Sequence, residues 1–198
     1  MRLAIYGGSF NPPHLGHVHV AKSAVEVLNL DRLLILPDNI PPHKQMATGS
    51  PDSEDRLAMC QLAFGGIHRA EVSDMEIRRG GLSYTSDTVH ELRESYPEAE
   101  LFLIIGTDML TSFTEWHFFE EILRSCTLAV VRREDSGVEE AAAEALRSDY
   151  GACIEIIDVP ALPVSSTEIR QSLAEGRKPA LLSKAVFHYI TAHHLYQT

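Results

Sequence analysis

Cysteine is scarce in this chain: Cys60, Cys126 and Cys153 are odd in number and far apart, with no C-x-x-C pair. That pattern excludes a disulfide framework and points to reduced thiols in a cytoplasmic protein, core groups more than catalytic ones. Long hydrophobic runs are missing too. No apolar stretch approaches bilayer-spanning length, and the N-terminus enters a strand-like segment where a secretory signal would otherwise stand. Positive charge is in deficit, with 17 Lys and Arg against 28 Asp and Glu and a formal net charge of −11. Broad nucleic-acid binding by phosphate neutralisation is therefore disfavoured. A pocket for one polyphosphate is not, because it needs only a few local cations. No repeat, heptad or low-complexity tract occurs, and the acidic run from Glu139 to Glu144 reads as a solvated helix face.

What is present is an ordinary globular balance, 44% hydrophobic in 198 residues, expected as a single domain over 1–198. Five short apolar runs recur: Leu3–Tyr6, Leu33–Leu36, Leu101–Ile105, Leu128–Val131 and Ile154–Ile157. They are nearly continuous instead of alternating, as strands covered on both faces are. A sixth, weaker strand is placed at Ala70–Ser73. Helical patterns fall at 17–29, 53–64, 84–96, about 117–124 and 137–148, with two more near 166–175 and 180–194. Strand–helix alternation predicts an α/β fold, doubly wound, with a mainly parallel sheet of five to six strands and a helical C-terminal end.

In open parallel sheets, ligands sit beyond the carboxyl ends of the strands. Nearly every chemically suggestive group follows such an end. The glycine-rich stretch Tyr6–His17 lies between the first strand and first helix, where free amides favour phosphate. Pro37–Pro51, with Pro41, Pro42, His43 and Lys44, follows the second strand; a loop this long reads either as functional or as a surface excursion. Gly106-Thr-Asp108, Arg132 with Arg133, and Ser165-Ser-Thr-Glu-Ile-Arg170 follow later strands.

Each group has a plainer alternative. His14 and His17 read as phosphate donors, as helix-start residues bonded to backbone, or, with His19, as zinc ligands. Zinc is the weaker reading, since no cysteine is near and His19 falls on another helix face. Lys44 is a solvated lysine or a placed cation. Asp108 is a helix cap or a ribose contact. Ser165 with Glu168 is a capping signal whose amides and hydroxyls also suit an anion, and Arg170, one turn in, can add a bidentate phosphate contact. Trp116, the single tryptophan, is a core residue or a stacking platform for a flat ring.

Taken together these segments resemble a known family. Gly7-Gly-Ser-Phe-Asn-Pro-Pro-His-Leu-Gly-His17 resembles the signature of the nucleotidyltransferase superfamily, whose core is H-x-G-H between the first strand and helix. Ile40–Lys44, Ser83–Thr88, Gly106–Leu110, the Trp116 segment and Val164–Arg170 narrow the resemblance to bacterial nicotinate-nucleotide adenylyltransferase, from residue 3 to about 195. Asn11 stands where many superfamily members carry Asp. The resemblance implies a Rossmann-like domain that transfers AMP from ATP to nicotinic acid mononucleotide, giving deamido-NAD and pyrophosphate. It implies His14 and His17 on the ATP phosphates, with Gly7, Gly8, Ser9 and Phe10 holding the nucleotide backbone. Lys44 and Arg170 would neutralise the triphosphate or leaving pyrophosphate, assisted by Ser165 and Ser166. Gly106 and Asp108 would line the adenosine side. Tyr84, Thr85, Trp116 and His117 would hold the nicotinate ring and its carboxylate, with Gly8, Ser9 and Lys44 also on that nucleotide's side. Mg2+ would be carried mainly by ATP phosphates, with no dedicated protein ligands. The implied partners are the two nucleotides, with no nucleic acid and no membrane; a homo-oligomer is left open. The nearest alternatives are a phosphopantetheine adenylyltransferase, a cytidylyltransferase, or a non-catalytic nucleotide sensor.

Overall fold

The apolar runs become strands because each has both faces covered. In the computed structural model, which describes residues 1–43, 45–132, 137–160 and 162–197, the strands are β1 Arg2–Gly8, β2 Arg32–Pro37, β3 Ala70–Val72, β4 Glu100–Gly106, β5 Thr127–Arg132 and β6 Ile154–Asp158. They form one parallel sheet in the order β3-β2-β1-β4-β5-β6. The order reverses between β1 and β4, which is the Rossmann-like, doubly wound arrangement.

The helices are α1 Leu15–Val27, α2 Ser53–Phe64, α3 Met75–Arg79, α4 Thr85–Ser95, α5 Thr107–Thr111, α6 Phe119–Ser125, α7 Val138–Tyr150, α8 Ser166–Ala174 and α9 Lys184–Ala192, with a 3-10 turn at Phe113–Glu115. The period-two alternation of the strands divides the core. Ile5, Leu34, Leu103, Ile105 and Val130 face Val89, Leu92, Ile122 and Leu146 of α4, α6 and α7. Ala4, Tyr6, Ile35, Phe102 and Ile104 face Ala21 and Ala24 of α1 and Cys60 and Phe64 of α2. A third cluster joins Met59 of α2 to Ile169 of α8 and to Val186 and Ile190 of α9. The C-terminal helix therefore packs internally against α2.

The seven helices and six strands expected from sequence all occur, within about three residues at their ends save for the last helix, which starts four residues later, at Lys184. One short helix, α3, was not expected; α5 is the helix after Gly106 that the capping reading of Asp108 implied, though its bounds were not placed. Cys60 and Cys126 are buried, as anticipated for core thiols, and burial pushes the Cys126 thiol up to about 12; Cys153 is exposed. Among the described residues no helix is long and apolar enough to cross a membrane.

Candidate active site

The order reversal opens a crevice beyond the carboxyl ends of β1 and β4, and two adjoining cavities occupy it. The larger, of about 680 Å³, is walled by Gly7–Asn11, His17, Gln45–Ala47, Gly106–Met109, Ser166, Thr167 and Arg170. The smaller, of about 370 Å³, lies over Asp38, Pro41–His43, Glu76, Ser83, Thr85 and Trp116. Gly7, Gly8 and Ser9 border both, so the glycine turn is their common wall.

That turn is held from beneath. Phe10 takes a left-handed backbone (φ 43), uncommon for a bulky residue. Its ring is buried edge-on to Tyr6 at 5.6 Å and Phe64 at 5.4 Å, and that packing offsets the strain. The Ser9 hydroxyl donates to Asp38 Oδ2 at 2.5 Å. Arg56, 1% exposed, donates to Asp38 Oδ1 and to the carbonyls of Ser9, Asp38 and Asn39. One guanidinium thus ties α2 to the turn and to the start of the following loop. Such additional hydrogen bonds offset the cost of burying the ion pair, although the buried Arg56 Nε has no partner among the described residues. Neither Arg56 nor Asp38 was singled out from sequence, because an arginine in an amphipathic helix reads as solvated.

His14 is the N-cap of α1 and His17 its third residue. Each Nδ1 accepts the other's backbone N–H, at 3.4 and 3.2 Å, and the rings stack at 3.7 Å. A neutral ring whose Nδ1 accepts carries its proton on Nε2, so this cap selects the tautomer that donates from Nε2. The helix-start and phosphate-donor readings are therefore compatible. His17 borders the larger cavity; His14, 6% exposed, stacks behind it and lines neither. Gly16 permits the stack, since a Cβ there would come within 3.0 Å of the His14 ring and of Val164.

At α8, Ser165 and Glu168 form the expected capping box, which commits the Ser165 hydroxyl to the helix end. Ser166, Thr167 and Arg170 instead border the larger cavity. Ser166 Oγ donates to Pro12 O at 2.9 Å, and Arg170 donates to Asn11 O at 2.7 Å and Thr167 Oγ1 at 3.1 Å. Thr167 was not among the expected site residues. Across the crevice Asp108 lies in the first turn of α5, where a Cβ on Gly106 would stand 2.6 Å from its carboxylate. Asp108 is the one acidic side chain among the described residues bordering this cavity.

Around the smaller cavity Thr85 opens α4 and Trp116 forms one wall, 4.9 Å from Phe113 and 6.0 Å from His43 between ring centres. It also packs against the core, so the core reading holds, while the residue borders the smaller cavity as well. Tyr84 and His117 stack on each other at 4.3 Å outside the lining, and His117 Nδ1 lies 3.3 Å from Ser86 Oγ. Glu76 is a further group not expected from sequence. It accepts from Thr88 Oγ1 at 2.7 Å, and burial holds its carboxyl above the usual range. Arg132 is spent on Asp158 at 2.6 Å and on Glu140, away from both cavities. Lys44 and Arg133 lie outside the described residues.

No group of three His, Cys, Asp or Glu among the described residues could hold a metal ion. A magnesium ion borne on nucleotide phosphates, with Asp108 as the nearby carboxylate, fits this lining; a zinc cage built on His14, His17 and His19 does not.

A glycine turn, a helix N-terminus with two histidines and a second helix N-terminus bearing Arg170, gathered at a sheet switch point, define a nucleotidyltransferase-type protein. The family model described as cytidylyltransferase-like matches residues 5–172. A Synechococcus sp. (strain JA-3-3Ab) protein named "probable nicotinate-nucleotide adenylyltransferase" is 39% identical, covering 98% of this chain and 94% of its own. A Gemmatimonas aurantiaca protein of the same name is 38% identical, covering 100% and 93%. Plasmodium falciparum nicotinic acid mononucleotide adenylyltransferase, solved in complex with NaAD, shares the fold with a TM-score of 0.83 at 17% identity, covering 98% of this chain and 97% of that one. The chain belongs to the cytidylyltransferase-like family and, within it, to the nicotinate-nucleotide adenylyltransferases.

Proposed function

We propose that this enzyme transfers AMP from ATP to nicotinic acid mononucleotide, forming deamido-NAD and pyrophosphate, by direct in-line attack with no covalent intermediate. The observation that carries the reading is the pair of cavities sharing Gly7–Ser9 as a wall. A dinucleotide-forming reaction needs two nucleotide sites meeting at one phosphoryl position, and the shared turn is where they meet.

The attacking group is itself a phosphate, whose second ionisation lies near pH ~6, so it is largely dianionic at neutrality. No side-chain nucleophile is required, and no general base. The chain's task is to hold two polyanions in line and to stabilise charge on the α-phosphoryl oxygens and the departing pyrophosphate. His17, backed by His14, donates from Nε2 into the larger cavity. Arg170, with Ser166 and Thr167 at the start of α8, binds the pyrophosphate end; Lys44 adds a second cation. Ser165 contributes by fixing that helix end. The adenosine moiety lies along Gly106 and Asp108. Magnesium, when carried in on ATP, neutralises phosphate charge. In the smaller cavity the α4 amides at Thr85 take the nicotinate carboxylate and Trp116 takes the ring face, with Tyr84 and His117 flanking.

Pyrophosphate release in ATP, magnesium and nicotinic acid mononucleotide tests this directly. Turnover with that nucleotide well above nicotinamide mononucleotide and phosphopantetheine is expected; equal use of the amide would overturn the substrate assignment. Chiral α-thio-ATP tests the in-line step, with inversion at phosphorus expected and net retention contradicting direct attack.

A further inference from the structure

The last residues of the chain reach the reaction turn. After α9 the backbone turns left-handed at His194 (φ 53) and again at Tyr196 (φ 61), a conformation that bulky side chains rarely adopt. Chain ends usually fray. Tyr196 is instead 6% exposed, its ring set among Ile169, Leu182 and Val186. Its hydroxyl donates to Asn11 Oδ1 at 2.7 Å. Burial drives its pKa upward, which keeps the phenol a donor.

Asn11, 7% exposed, uses its other polar groups as fully. Its Nδ2 donates to Ser50 Oγ at 2.7 Å, and its carbonyl accepts from Arg170 at 2.7 Å. Ser50 closes the segment whose residues Gln45–Ala47 wall the larger cavity, and its N–H donates to Ala47 O at 3.0 Å. Four separate parts of the chain therefore converge on one asparagine: the turn, the cavity wall, α8 and the C-terminal segment. Strain that persists at such a junction points to a role for the residue that carries it.

We propose that Tyr196 is a positioning residue for adenylyl transfer, acting through Asn11 to hold the reaction turn, the 45–50 wall and Arg170 in register on the ATP side. The smaller cavity has no part in this latch. The inference rests on the assignment of the larger cavity to ATP. The competing account is that the Tyr196 ring only closes the third apolar cluster, a task phenylalanine performs equally well. The hydroxyl separates the two. At Asn11 a carboxylate could accept from both Tyr196 and Ser50, since a serine hydroxyl rotates to donate, whereas leucine offers neither group.

The test compares Tyr196→Phe, Asn11→Asp, Asn11→Leu and the Tyr196→Phe/Asn11→Leu double variant. Readouts are kcat, both KM values, the ATP Kd by calorimetry and Tm. Tyr196→Phe is expected to lower kcat about tenfold and raise the ATP Kd about threefold, with KM for the second nucleotide within about twofold, because a buried acceptor is left unpaired beside the phosphates. Asn11→Asp should retain about tenfold more kcat than Asn11→Leu, and the double variant should be no more than about twofold worse than Asn11→Leu, as for residues acting through one link. A Tyr196→Phe enzyme with a lowered Tm but wild-type kcat and ATP Kd would overturn the proposal, as would losses that multiply in the double variant. Should Tyr196→Phe fail to fold, equal loss in Asn11→Asp and Asn11→Leu overturns it instead. The ATP Kd is measured without the second substrate, so a wild type inactive on nicotinic acid mononucleotide would overturn only the substrate assignment.

Discussion

His17 has one task in the helix cap and, in the proposed reaction, a second and separable one at the phosphates. Removing a cap costs about 1 kcal/mol of stability. Removing a preorganised donor to developing charge costs on the order of 10²–10³ in kcat. His17→Ala should therefore lose a few degrees in Tm and far more in turnover, measured by pyrophosphate release well below the transition; near-normal kcat would confine the residue to capping. Trp116→Ala belongs to the other cavity. Stacking a flat ring on an aromatic is worth about 1–3 kcal/mol, so KM for the nicotinate nucleotide should rise about tenfold while KM for ATP holds. Unchanged KM values would leave Trp116 as core alone. At this scale the sequence was informative for residues whose type is unusual in its setting: His14 and His17 after a glycine turn, Arg170 one turn into α8. It was silent on Arg56 and Asp38, whose partnership spans 18 residues and depends wholly on how α2 packs against the turn. It also did not reveal that two histidines could cap each other, since that arrangement replaces the usual hydroxyl and carboxylate of a capping box.

Elements were legible in proportion to their length. The covered strands announced themselves as unbroken apolar runs, and α2 was placed at its observed bounds by its periodicity. Helices α3 and α5 have five residues each, too few to display a 3.6-residue repeat, and exist because neighbouring elements fix them. Yet α3 carries Glu76 into the smaller cavity and joins it to α4, since Arg79 donates to Glu91 at 2.8 Å and to Thr88 at 2.9 Å. Burial raises the Glu76 carboxyl above its ordinary 4.5 and Asp38's charge adds to this, while the Thr88 and Ser83 hydroxyls and Arg79 pull the other way. The folded protein thus holds that proton more tightly than the unfolded chain. Its stabilising contribution is complete below pH 4.5 and is lost as pH rises through the raised folded-state value. Urea unfolding of wild type and Glu76→Gln should show wild type gaining relative stability on going from neutrality down to pH 4.5. A difference that is flat with pH, or that grows toward neutrality, would contradict the assignment.

Across the whole molecule, the larger cavity draws its lining from distant parts of the chain: Gly7–Asn11 and His17 at the start, Gly106–Met109 in the middle, Ser166, Thr167 and Arg170 near the end. Arg170, Ser166 and Tyr196 bond back to residues 11 and 12, and Leu15 N–H donates to Leu181 O at 3.0 Å. The two sheet faces share β1 and β4, and the third cluster leans on α2, so no element group has a core of its own. We therefore expect one cooperative unfolding unit over 1–198. ATP with magnesium, if it binds the cavity assembled from these segments, should raise the stability of the whole unit by about 2.7 kcal/mol at a hundredfold excess over Kd. For a chain of this size each kcal/mol moves Tm by about 2–4 °C, so the single calorimetric transition should shift upward by about 5–10 °C. A C-terminal region melting separately would split the trace, and only its N-terminal part would then follow ATP. That outcome would break the single-unit reading and with it the reason for Tyr196 to influence the turn. A single peak that moves as a whole is what a site assembled from distant parts of the chain requires.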